Sequence, residues 1–441
     1  MNKIFTGGIA AITLAGILAG GAVYSDRRLE AGYRGNFHIQ DKRIRIDTRK
    51  FGMGLLEGKA SWTLDFVPDL CQPERNAKIG IRSEDTIRRS FGGYTIRSRF
   101  YGTGAGAPEE MLFETVSTVG WTGRVQSTIT IPAGSHTDKG AVSGKDIVFE
   151  WGETVLRFSF KREKDGISPP HIKFTAPLLR ISEPGDPDTG LEIRQFAYTN
   201  DGLLLLNGIP QSGSTRLSAE SAVVRLSGKD ENPSGSNTPI RLSISGLNLE
   251  GSLKNDGKTV GYHWKGSIAK AGANNAVFDG IRLNYAVTGL SADAVAKINS
   301  LIERQGHACV PIQEQSQIVE EAALAALGGG LRVASKGNRI RLENTSADAD
   351  FEVSLSGIGR TAKEDIPAQI ERSLKMQGRA AVDKDFIVKL FEALGGKKMS
   401  SEEKASFLKE IRHETYEKDG IRMDLREENG RIVMDMRSTE R

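Results

Sequence analysis

The sequence predicts an α+β protein that is predominantly antiparallel β. It has a single N-terminal transmembrane helix, then an elongated, twisted β-rich domain with short helices near the C-terminus. Three observations carry this prediction. Apolar and polar residues alternate with period two in segment after segment, tight-turn signals separate those segments, and the chain opens on a long uncharged run.

The alternating segments are Lys42 to Asp47, Arg124 to Ile131, Leu156 to Phe160, Ile240 to Ser245, Ile281 to Tyr285 and Phe351 to Leu355. Successive side chains of a strand point to opposite faces, so this pattern packs one face and wets the other. Asn200-Asp201-Gly202, Lys254-Asn255-Asp256-Gly257, Lys418-Asp419-Gly420 and Glu428-Asn429-Gly430 supply residues that tolerate the backbone of tight hairpins. The spacing predicts an antiparallel meander. Segments 240–253, 281–290 and 351–359 each end an alternating strand on Gly followed by an aliphatic residue, which suggests repeated units in one long sheet. Leu203-Leu204-Leu205-Leu206 is a short apolar strand that either crosses a two-layer core or lines an apolar groove.

Helical periodicity comes late. Ser291 can cap a helix in which Ala294, Val295, Ile298, Leu301 and Ile302 form one apolar stripe. Gln315 to Leu327 reads as a second helix, stopped by three glycines, and Lys384 to Leu394 as a third. Ser400 with Glu403 is a capping box that opens a fourth, through about Ile411.

No residue from Ile4 to Tyr24 is charged. About 21 helical residues span roughly 31 Å, matching the ~30 Å core of a bilayer. Ile4, Ile12, Leu14, Ile17 and Leu18 are the expected anchor residues, with Tyr24 at the interface. A retained anchor is expected; a signal cleaved near Gly20-Gly21-Ala22 is the alternative. Arg27, Arg28 and Arg34 outweigh Lys3, which alone would keep the following domain in the cytoplasm, although a long domain weakens that rule. Loops at Glu183 to Pro187 and Asn232 to Ser236 suggest a division into 1–28 (anchor), 29–185 (N-terminal β-rich region) and 186–441 (C-terminal β-rich region with short helices).

With 441 residues the chain can bury large cores. Its 60 Lys and Arg are interspersed with 56 Asp and Glu, so no basic arm forms and nucleic acid is not an expected partner. The 50 glycines and 7% aromatics suit many short strands joined by tight turns. Cys71 and Cys309 are a candidate disulfide, or two separate thiols; neither sits in a CxxC motif.

Signals for chemistry are weak. His38, His136, His171, His263, His307 and His413 contain no pair at helical ligand spacing, and His413-Glu414-Thr415-Tyr416 lacks the second histidine of a zinc-protease helix. Tyr101 to Gly106 is glycine-rich like a phosphate loop, but Glu109 and Glu110 follow where a cation is needed. Glu320-Glu321, Glu402-Glu403 and Glu427-Glu428 read as solvated faces. No catalytic, metal-binding or cofactor-binding residue is expected, and the protein is read as non-enzymatic.

The run Val23-Tyr24-Ser25-Asp26-Arg27-Arg28 after the apolar segment, Phe278 to Leu283 leading into Ala292 to Asn299, Leu331-Arg332-Val333 with Ile340 to Leu355, Met376 to Leu394, and Tyr416 through Met434 occur in an order that resembles the YdgA/YihF-type family of bacterial envelope proteins. The likeness covers the first 30 residues and about 275–441; Ala31-Gly32-Tyr33-Arg34-Gly35 departs from it, since the family usually continues there as a helix. The resemblance implies location and architecture: inner membrane, with the large domain in the periplasm. The expected function is an envelope scaffold or interaction protein, with a homo-oligomer or envelope protein as partner. The alternative is a carrier that holds lipid or another apolar ligand in a groove.

Overall fold

A computed structural model describes residues 29–30, 33, 44–66, 79–103, 110–139, 146–163, 166–168, 170–203, 205–206, 209–226, 240–273, 276–308, 320, 324–326, 330–356, 365–395, 400–404, 414–418 and 420–438. Nearly all their strands join one antiparallel sheet. β1 (Ile44–Met53), β2 (Glu57–Phe66), β3 (Ile79–Ser90), β4 (Gly93–Thr103), β5 (Glu110–Gly120) and β6 (Arg124–Ile131) pair in chain order. β7 (Gly134–Lys139) prolongs β6, and the return line is β8 (Asp146–Trp151) followed by β9 (Thr154–Glu163), edged by β10 (Gly166–Ile167).

β11 (His171–Glu183) lies against both β8 and β9, and is followed by β12 (Asp186–Asp201), β15 (Gly213–Leu226) and β16 (Ile240–Asn255). β13 (Leu205–Leu206) and β14 (Ile209–Pro210) form a separate small hairpin. β17 (Thr259–Ile268) and β18 (Lys270–Ala273) both pair with β16 and with β19 (Ala276–Ser291), so they are one line broken at Ala269. β20 (Leu331–Leu342), β21 (Thr345–Leu355) and β22 (Lys375–Asp383) continue the meander. The last three strands reverse their order: β22 pairs β25 (Arg431–Ser438), which pairs β24 (Ile421–Glu428), which pairs β23 (Glu414–Lys418).

The loop at Glu183 to Pro187 is the tip of the β11–β12 hairpin, so pairing runs on across residues 185 and 186. Asn429 and Gly430 both take positive φ, 49° and 75°, as a tight β24–β25 turn requires.

One line of irregularities crosses the middle of the sheet. It passes between β6 and β7 at Pro132, between β8 and β9 at Gly152, and through Pro177 of β11, Gln195 of β12, Gly246 of β16 and Ala269. Proline has no N–H for a ladder, so Pro132 and Pro177 fit only at such gaps. Gly246 has φ of 62°, and a Cβ there would come within 2.7 Å of the Ala269 methyl. A bulge bends its strand. Aligned on neighbouring strands, these bends fold the sheet lengthwise.

The dry core occupies the first third. In β2 burial alternates strictly, with Ala60, Trp62, Leu64 and Phe66 inside. Ile81, Ile87, Ile96, Phe100, Phe113, Val119, Val125, Ile129 and Phe160 continue that face through β9, and Leu29 and Tyr33 pack onto it. The Trp62, Phe100 and Phe113 rings follow one another, edge-on at 5.6 Å and then stacked at 4.6 Å.

At the centre of this core lies Asp85. Its carboxylate accepts hydrogen bonds from the Tyr33 hydroxyl (2.7 Å), the Trp62 indole N–H (2.9 Å) and the Ser83 hydroxyl (2.5 Å). Burial pushes the Asp85 pKa up, against the opposing pull of these donors and Ser98. Burial, and then the Asp85 charge, raise the Tyr33 hydroxyl well above its usual range.

Among the described residues, three helices flank the sheet: α1 (Ala292–Ala308) against β14, β17 and β19, α2 (Ile366–Ser373) against β21, and α3 (Lys384–Gly395) against β19 to β22. The Ser291 hydroxyl accepts from the Ala294 N–H at 3.4 Å, and Ser400 and Glu403 make both bonds of the capping box, at 2.6 and 3.1 Å. The sequence reading missed α2, whose signal is Pro367 at its first turn.

The expected fold class needs correction. The described protein is mostly antiparallel sheet with few helices, and no helix among the described residues is long and apolar enough to cross a membrane. The expected transmembrane helix, with Ile4, Ile12, Leu14, Ile17, Leu18 and Tyr24, lies outside the described residues. Its prediction rested on hydropathy, on length and on the resemblance of Val23 to Arg28 to an anchored family.

Replacing Asp85 with Ala strands the Tyr33 and Trp62 donors and should cost about 3 kcal/mol in urea unfolding. Asp85→Asn separates the effect of charge. With its folded pKa above the unfolded value, Asp85 binds more protons when folded, so its contribution to stability falls as pH rises from the unfolded pKa through the folded one. The stability of Asp85→Asn relative to the native protein should therefore improve between pH 4 and pH 8.

Candidate functional site

Strand register determines which side chains share a face. One transverse row runs Ala60, Asp85, Ser98, Thr115, Ile129, Leu156, Phe174, Tyr198, Leu217, Leu249, Gly266, Leu283, each directly opposite the next. A second runs Leu253, Tyr262, Val287, Val333, Val353, Met376. A third runs Leu179, Ile193, Ala222, Ile244, Ala271, Phe278, Leu342. All three lie on the face that forms the closed core in β1 to β9. The same surface therefore continues from a buried core onto the outer two-thirds of the sheet.

There it is not closed. Trp264 is 51% exposed, Leu242 42%, Leu283 39% and Tyr285 38%, all on this face. Trp264 sits against Gly251, where a Cβ would meet the ring at 3.0 Å, and a Cβ at Gly378 would meet the Asp350 carbonyl oxygen and the Phe351 Cβ at 3.2 Å. Tyr285 and Phe351 approach to 6.2 Å, and Phe174 and Phe196 to 5.8 Å. The result is an apolar strip on which aromatic and aliphatic side chains stand beside glycines. One end is plugged by Leu253, Val260 and Ala292, with Leu203, Tyr262 and Leu290 packed on them. Leu203, from the expected apolar strand, belongs to this plug; Asn200 holds its backbone N–H (2.9 Å) and C=O (3.1 Å).

The opposite face has the reverse character. The row beside Phe174 runs Lys173, Thr199, Arg216, Glu250, Lys265, Asn284. Cross-strand ion pairs cover it: Arg216–Glu250 at 2.9 Å, Arg332–Glu352 at 2.8 Å and Arg379–Glu428 at 2.9 Å. Arg431 bridges Asp348 (2.7 Å) and Asp383 (2.9 Å). Burial raises the Asp348 pKa, but hydrogen bonds from Arg339 and Arg431 outweigh it and hold the carboxyl below its usual range.

Among the described residues no group of three or more His, Cys, Asp or Glu is placed to hold a metal ion. His171 and His263 stand on the polar face, His171 at 2.9 Å from Asp201, while His38 and His413 lie outside the described residues. So do Cys71 and Cys309.

The family described as "bacterial protein of unknown function (DUF945)" matches residues 96–437. The chain belongs to this family. The match begins in β4 and ends in β25, so the family extends over the open apolar strip and the reversed closing strands alike. The finer YdgA/YihF-type naming is a reading of the sequence alone. No curated protein and no solved structure matches the chain.

Arg431→Met leaves two partly buried carboxylates facing each other and should cost about 1–2 kcal/mol. Asp348, with a depressed folded pKa, stabilises above its unfolded pKa and loses that contribution as pH falls through the folded one. The penalty of Arg431→Met, measured by urea unfolding, should therefore shrink from pH 7 towards pH 3.

Proposed function

We propose that the protein is a non-enzymatic carrier of lipid, holding acyl chains along the open apolar face of its sheet. The observation that carries this reading is the apolar surface on β16, β17 and β19, where Trp264, Leu242, Leu283 and Tyr285 are each more than a third exposed. Soluble proteins rarely leave a contiguous apolar surface of that extent without something to cover it. An extended hydrocarbon chain fits an apolar strip that runs across strands. Binding of this kind requires no reacting group.

The rival reading, a scaffold that grows by strand pairing, has less support. Edge strand β1 carries Arg45, Asp47, Arg49 and Lys50, and edge strand β23 has only five residues, two Glu and one Lys among them. Charged and short edges discourage strand addition. The proposal includes the envelope setting, with the sheet on the periplasmic side of the inner membrane, where a carrier would meet lipid.

Native mass spectrometry of the full chain, purified without denaturant, should reveal bound phospholipid. The double variant Leu242→Glu/Leu283→Glu should retain it at least about tenfold less well, since each leucine contributes roughly 1 kcal/mol or more of apolar contact. A native protein that carries no lipid, and takes up none from vesicles, would rule the reading out.

A further inference from the structure

Three hairpin tips stand side by side at one edge of the closed core: residues 54–56 between β1 and β2, 91–92 between β3 and β4, and 121–123 between β5 and β6. They are stitched together by backbone bonds, Arg89 N–H to Leu56 C=O at 2.9 Å and Trp121 N–H to Gly92 C=O at 3.0 Å. Their side chains are Leu55 (82% exposed), Leu56 (67%), Phe91 (99%) and Trp121 (52%). The other described hairpin tips are different: Pro184-Gly185, Asp256-Gly257-Lys258, Glu343-Asn344 and Asn429-Gly430 carry no large apolar side chain. Within three residues of the apolar tips stand Lys59, Arg88, Arg89 and Arg124 against one carboxylate, Glu57.

We propose that these tips dock the protein onto an anionic bilayer surface. Phe91, Leu55 and Leu56 enter the acyl boundary, Trp121 sits at the interface, and the cations beneath meet lipid phosphates. Strand spacing of about 4.8 Å spreads the tips over roughly 20 Å, a footprint that engages several headgroups together. The side chains project from turns, and Phe91 has almost no protein neighbour. Such a shape suits penetration of a soft interface better than packing against a folded partner. The ring of cations supplies the charge complement, and Trp at a membrane boundary keeps its N–H wet and its ring dry. This site is separate from the proposed carrier face, and either can stand without the other.

Trp121 is its own reporter. The full chain would be added to phosphatidylglycerol vesicles containing bromine-labelled acyl chains, and its tryptophan emission compared with that of Trp121→Phe. A quenched component that is absent from Trp121→Phe is expected. It should weaken strongly in phosphatidylcholine vesicles or at high salt, and in Arg89→Gln/Arg124→Gln by up to about 30-fold, at roughly fivefold per cation. Phe91→Ser with Leu55→Ser should lose it as well. If Trp121 is unquenched on anionic vesicles the proposal fails, and equal quenching on neutral vesicles overturns its electrostatic half. Self-association that Phe91→Ser abolishes, without vesicle quenching, would replace the bilayer with a second copy. Lipid carried on the apolar face would instead quench Trp264, so loss of the carrier reading leaves the Trp121 signal unchanged.

Discussion

Everything in this structure depends on strand parity. A strand slipped by one residue turns its whole apolar set to the other face. The sheet keeps parity from Ala60 to Leu283 across a row of directly opposed residues, and it does so through several bulges. A bulge in one strand alone would put its partners out of phase. Here the interruptions at Pro132, Gly152, Pro177, Gln195, Gly246 and Ala269 lie side by side, so each strand absorbs its extra residue where its neighbour does. The lengthwise fold and the unmixed faces are thus one solution to one constraint.

The two parts of the apolar face differ in how they meet water. In β2 to β6 the face includes Ser83, Asp85, Ser98, Thr115, Ser117 and Ser127, small or polar, yet all are buried. Small residues let the strands enclose a tight interior, and each hydroxyl needs an internal partner, as Ser117 and Ser127 find in one another at 2.7 Å. From β11 onward the same face includes exposed aliphatic and aromatic groups, Leu242, Trp264, Leu283 and Tyr285 among them. The enclosed part thus holds these small polar groups among Trp62, Phe100, Phe113 and the aliphatic core, while part of the outer face meets water through apolar side chains.

Much of the fold was legible in the chain. Arg124 to Ile131 is β6 to the residue, Asn429-Gly430 is a tight turn, and the caps at Ser291 and Ser400 are made as their residue types suggest. These are local facts, decided by residues a few positions apart. The open strip was not legible, because it exists only once Leu217, Leu249 and Leu283 are brought into register across strands tens of residues apart. Asp85 was hidden for a related reason: in Ser83-Glu84-Asp85-Thr86 both acids look alike, and only the pleat assigns Asp85 to the core and Glu84 to water. The tips at Leu55, Phe91 and Trp121 did have a local signal, large apolar residues at turns where Asn, Asp or Gly is usual.

The reversed order of the last strands bears on synthesis. A plain meander offers an adhesive edge at every stage of its growth, whatever strand has been made last. In this chain β22 waits for β25, which is made after β23 and β24, while β23 and β24 pair with each other. β25 is inserted between material already present, and a short, charged strand made earlier becomes the outer border. Sealing of the β22 edge therefore waits until β23 and β24 have been made, and a product that stops short of Arg431 keeps β22 as a raw edge.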